Sequence, residues 1–269
     1  MRLVATHYPL AVIIGGERLQ SWVGATHGIA AVLNGHLHWR LGSTLHAFHT
    51  PPPPAAQRRV AELEAGDWKI SRAWRLLALD AGGAGSAGSA PVLSFRDFRY
   101  DATSPGGMVV MGTSPPDGRY SSTAPAAGAP RAHVRALVFP PKGAQPQSLR
   151  VWAVALCAGT EVARVAMARV GAEAGQGSGG AVWTSPVLPP TAGAFAGSPF
   201  PLEAFARRCP ATGGVLHVRV EASCEGAPRC GDAHEWPILF DQASWPLPLN
   251  NTRLVRTVPC VREENATSH

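Results

Sequence analysis

The chain reads as a mixed fold: a strand-rich α/β segment followed by an all-β sandwich. Three observations predict this. Near the start, two short apolar runs flank a helical stretch, and each run ends at a histidine motif, the pattern of a βαβ unit. A Pro/Gly-rich stretch at 115–130 divides the chain. Beyond it, short runs with period-2 patterning follow one another with turn-rich segments and no helix between them.

Leu3-Val4-Ala5 is the first predicted strand. Leu19, Trp22 and Val23 fall at i, i+3, i+4 and mark one face of a short helix, with Gly28 as its stop. His27, next to that stop, reads as a helix-end side chain. Residues 29–33 form the second strand, and a βαβ unit of this size predicts parallel pairing. Pro51 to Pro54 is a rigid break. Alternation then predicts strands at Glu62-Leu63-Glu64, at 67–70, and at 74–78 with Trp74, Leu76 and Ala78 on one face. Residues 82–90 are a Gly/Ser/Ala loop; with no Lys-Ser/Thr and no following helix, they are not a phosphate loop. Further strands are predicted at 92–98 and 108–111.

The expected organisation is a first domain at 1–114, a linker at 115–130, a β-sandwich at 131–242 and an irregular tail at 243–269. Strands of the sandwich are predicted at 133–139, 149–156, 162–170, 182–183, 216–222 and 238–240. In Leu216-His217-Val218-Arg219-Val220-Glu221 every second residue is apolar, the mark of a half-buried strand. Trp68, Trp74, Trp152 and Trp183 read as core or inter-sheet packing.

With 45% hydrophobic and 16% charged residues the chain is globular rather than disordered. Its net charge of +6 raises the question of a nucleic-acid partner. The arginines are scattered, however, Lys69 and Lys142 are the only lysines, and no aromatic residues are interleaved with the cations, so nucleic-acid binding is not expected. No apolar run reaches the roughly 20 residues of a membrane helix, and no charged lead with a sustained apolar stretch opens the chain. Cys224 and Cys230 are close enough to close a small loop, and their spacing is not that of a zinc knuckle. Cys157, inside an apolar strand, reads as a buried thiol, and the odd count of five leaves one thiol over in an oxidising compartment. Asn250-Asn251-Thr252 and Asn265-Ala266-Thr267 match the glycosylation acceptor pattern.

The chemistry lies in Thr6-His7-Tyr8-Pro9 and Gly35-His36-Leu37-His38. Neutral imidazoles delivered at strand ends suit divalent transition ions, and Gly35 lets the backbone turn just before the ligands. Two imidazoles one residue apart can each meet a different ion of a close pair. His46 and His49, an H-x-x-H on the following segment, read as solvated or edge-strand histidines.

The two histidine motifs, at this separation, resemble the last two motifs of calcineurin-like metallophosphoesterases. Glu62-Leu63-Glu64-Ala65-Gly66-Asp67-Trp68-Lys69 and the run from Arg72 to Asp80 resemble the following segment in the transmembrane protein 62 family. The resemblance covers roughly residues 1–100; across 130–242 it rests on architecture alone. It implies an α/β phosphoesterase half followed by an immunoglobulin-like domain, and membrane helices in the family's complete proteins. It implies a dinuclear site of manganese, iron or zinc, with His7 and His36 on one ion and His38 on the other, and a phosphoester substrate. The family's earlier motifs, D-x-H, G-D-x-x-D and G-N-H-D/E, do not occur before His7. Asp67, Asp80, Asp97 and Asp101 lie downstream and are not their equivalents. Without a bridging carboxylate two divalent ions repel, so the chain alone is expected neither to assemble the full site nor to turn over substrate. The expectation is a truncated product, a partial gene model or a degenerate copy. The alternative expectation is a non-catalytic interaction protein whose β-sandwich binds a protein partner.

Overall fold

The computed structural model describes residues 2–26, 28–35, 46–49, 60–65, 72–80, 92–99, 107–120, 134–170, 182–185, 209, 215–225 and 227–239. They are mostly β-sheet with one short helix, and they divide into two compact units.

The first unit is built on a four-stranded sheet of order β1-β2-β4-β3, formed by β1 (Arg2–Ala5), β2 (Ile29–Asn34), β4 (Val60–Glu64) and β3 (His46–His49). β1, β2 and β4 are parallel, as the βαβ reading predicts, and β3 is antiparallel to β4. Helix α1 (Gly16–Ala25) is the crossover, and Gly28, at φ +84°, makes the left-handed turn that ends it. Leu10, Val23, Ile29, Val32 and Val60 form a core on one sheet face, with Leu19 and Ile13 packed against it. Trp22, placed by periodicity on the apolar face, is instead 52% exposed; Val23 carries the contact.

A second core on this sheet holds Ala31, Ala61 and Leu63, against which Leu77, Leu93 and Phe95 pack. These last come from the hairpin β5 (Ala73–Asp80) and β6 (Val92–Arg99). The packed hairpin face therefore includes Leu77 rather than Trp74, Leu76 and Ala78; Trp74 stacks on Phe98. Every residue of β4 is buried, the expected state of an interior strand covered on both faces.

The second unit has two four-stranded sheets. One has the order β10-β9-β13-β14, from β10 (Thr160–Ala166), β9 (Leu149–Cys157), β13 (Val215–Cys224) and β14 (Ala227–Leu239). The other has the order β11-β12-β8-β7, from β11 (Ala168–Arg169), β12 (Val182–Thr184), β8 (Arg135–Phe139) and β7 (Val109–Ser114). Val110, Ala136 and Val138 of one sheet and Val151, Val218 and Trp236 of the other share one core. Trp183 joins it, whereas Trp152 is half-buried beneath the Arg164 guanidinium.

Three sequence expectations change here. β7, read as part of the first domain at 1–114, pairs with β8 and belongs to the second unit. The last strand is 13 residues long rather than 238–240, because an edge position tolerates Pro237 and the polar residues before it. Cys157 is not a thiol: it is bonded to Cys209, and Cys224 is bonded to Cys230. The segments at 67–70, 82–90 and 243–269, with His27 and Trp68, lie outside the described residues.

Candidate metal centre

β1 and β2 run parallel, so the residues that follow them leave the sheet at the same end. The ladder continues past both strands. Thr6 N–H donates to the Leu33 carbonyl at 2.9 Å, and Gly35 N–H donates to the His7 carbonyl at 3.3 Å. His7 is thus held by its backbone against the residue that precedes His36. Its exposed ring meets Tyr8 edge-on at 4.7 Å, and Thr6 Oγ1 donates to the Tyr8 carbonyl, closing the turn that carries it. His36 and His38 lie outside the described residues. Among the described residues no group of three or more His, Cys, Asp or Glu side chains is placed to hold a metal ion.

Beneath this rim lies a polar cluster that sequence reasoning missed. Glu62 Oε1 accepts hydrogen bonds from Leu10 N–H at 2.7 Å and from Asn34 Nδ2 at 2.5 Å. Glu62 Oε2 is 2.5 Å from His49 Nε2. All four residues are buried. Burial pushes the Glu62 carboxyl up. The His49 hydrogen bond, the Leu10 N–H, the His49 charge and the Asn34 amide together outweigh it and hold the group below the usual carboxylate range. Among the described residues Asn34 Oδ1 is buried with no hydrogen-bond partner.

His49 is on the edge strand, as its sequence reading allows, but it is not solvated. The alternation Glu62-Leu63-Glu64 reads as a half-exposed strand, which concealed the cluster. In the fold Glu62 lies on an interior strand, where a carboxylate requires partners.

A neutral imidazole nitrogen is a donor of the kind that suits manganese, iron or zinc. β4 carries two buried carboxylates: Glu64, opposite Asn34 at the end of β2, and Glu62, which is already committed to three hydrogen bonds. Among the described residues no helix is long and apolar enough to cross a membrane. No protein-family model, curated protein or solved structure matches the chain.

Proposed function

We propose that the first unit is the C-terminal part of a calcineurin-like metallophosphoesterase domain of the transmembrane protein 62 type. His7, His36 and His38 are then the imidazole half of a dinuclear site for manganese, iron or zinc. The observation that carries this reading is the parallel pairing of β1 and β2, with Gly35 N–H bonded to the His7 carbonyl, which brings His7 and Gly35 to one sheet end.

Held by these imidazoles, an ion pair would supply Lewis-acid activation of water and of a phosphoester. The chain's part is to hold ions. His7 stands on a turn fixed by Thr6, and Gly35, immediately before His36, is bonded to the His7 carbonyl. Three neutral donors do not neutralise two dications, so the 269-residue chain binds metal weakly and does not turn over. The test is an assay of phosphomonoester and phosphodiester hydrolysis with added manganese or zinc, with His36→Ala as control. No turnover beside metal binding that His36→Ala abolishes supports the reading. Robust turnover lost in His36→Ala contradicts the incomplete site.

A second reading takes the second unit, as an immunoglobulin-like sandwich, to be a partner-binding module. It is favoured by that unit's own core, closed between two four-stranded sheets. Limited proteolysis of the full chain tests its independence. A protected fragment spanning 107–239 supports it, and simultaneous loss of both units counts against it.

A further inference from the structure

We infer that Glu62 is a positioning residue that ties the segment after His7 and the end of β2 ahead of His36 to the sheet, an inference that rests on the metal-site reading of His7, His36 and His38. Its Oε1 accepts from two N–H donors at once. One is the backbone amide of Leu10, three residues after His7; the other is the Asn34 side chain, two residues before His36. The segment following β1 and the last residue of β2 therefore meet at one oxygen atom of a third strand.

Each arm has a physical reason to hold. Leu10 is fully buried and opens a single 3-10 turn, Leu10–Val12, so its N–H has no partner within the turn. Left without Glu62 it would be a buried, unsatisfied donor. Asn34 ends β2, and its main-chain carbonyl accepts from Ala65 N–H at 2.7 Å. The Asn34 amide is thus tied to β4 by both backbone and side chain, immediately ahead of Gly35. His49, from β3, bonds the second carboxylate oxygen and fixes the plane in which Oε1 faces the two donors. A charged acceptor makes these bonds stronger than neutral ones. Residues that orient metal ligands in this way alter affinity without touching the ion.

The test uses the full chain with Glu62→Leu and Glu62→Gln. Leucine removes the acceptor at similar volume, whereas glutamine keeps Oε1. Two readouts are taken: amide hydrogen exchange at Leu10 and residues 33–35, and Mn²⁺ broadening of the His7 and His36 imidazole signals. Glu62→Leu is expected to speed exchange at Leu10 by about tenfold, with β13 and β14 unchanged. It is expected to weaken the Mn²⁺ response of both histidines by about tenfold or more. Glu62→Gln should recover most of both effects. Should Glu62→Leu fail to fold, Asn34→Ala takes its place: it deletes one arm, so exchange rises at 33–35 while Leu10 stays protected. Unchanged exchange in the leucine or alanine variant overturns the inference, as does a glutamine variant no better than leucine. Absence of any Mn²⁺ effect on the wild-type histidines would defeat the metal-site reading, while the clamp would still be judged by exchange.

Discussion

The Gly112 amide donates a hydrogen bond to His234 Nδ1 at 2.9 Å, joining the edge strand of one sheet to a side chain from the edge strand of the other. Val110 N–H makes the equivalent bond to Asp232 Oδ2 at 2.8 Å, and Trp236 Nε1 donates to the Pro115 carbonyl at 2.9 Å. Alternate side chains of β14 thus satisfy backbone groups along β7, which an open edge would leave unpaired.

Gly112 is required by this arrangement. A Cβ there would lie 2.0 Å from the buried Trp236 ring. Gly112→Ala should destabilise the second unit by about 3 kcal/mol, since overpacking against a fixed ring forces a backbone or rotamer shift. Urea denaturation monitored by near-ultraviolet circular dichroism checks it; an unchanged midpoint would contradict the packing.

Gly16 makes a parallel case in the first unit. Alanine inside a helix normally gains about 1 kcal/mol over glycine. Here a Cβ would stand 1.9 Å from the Leu10 carbonyl oxygen, so Gly16→Ala should instead cost about 2 kcal/mol. Exchange protection at Leu10 and along α1 should fall in that variant, and a gain in protection would refute the close approach.

The Glu62 cluster gives a pH dependence with a definite sign. Its carboxyl is held below its ordinary value in the fold, so the ionised form stabilises. That contribution is complete above the ordinary carboxylate range, about pH 5, and disappears as the pH falls through the lowered folded value. Wild type should exceed Glu62→Gln in stability at neutral pH, with a margin that shrinks towards pH 3. Paired denaturation curves across that range check it. A margin independent of pH would show that the ionised carboxylate is not the stabilising species.

The two disulfides differ in the length of chain they close. Cys157 and Cys209 are 52 residues apart, Cys224 and Cys230 only six. Chain-entropy arithmetic gives about 4 kcal/mol for the longer closure and about 2 kcal/mol for the shorter. Replacing the Cys157–Cys209 pair by alanines should therefore lower the Tm more than replacing Cys224 and Cys230. With five cysteines in the chain, one thiol should react per unreduced, denatured molecule; a count of five would remove both bonds from the account.

Where short-range signals sufficed, the sequence was readable. The run Leu3-Val4-Ala5, the helix stop at Gly28 and the second apolar run specify β1, α1 and β2 and their parallel pairing, because each depends on neighbours in the chain. The Glu62 cluster was not readable, because its partners stand 52, 28 and 13 residues away. β7 carries the same apolar pattern whichever sheet it joins, and its partner β8 lies across the Pro-rich stretch, so local pattern did not assign it. β14 was hidden by Pro237 and by the polar residues whose work is to reach β7. Of the proposed site, the strand-end position of His7 and its proximity to Gly35 are present in the fold, while His36 and His38 lie outside the described residues.

The most direct test of the metal-centre account is a Mn²⁺ titration of the ¹⁵N-labelled chain, following the imidazole signals of all ten histidines. The account predicts that His7, His36 and His38 broaden together at the lowest metal concentrations, while His217 and His234 of the second unit stay sharp. Broadening centred on other histidines, or His7 responding apart from His36 and His38, would contradict it.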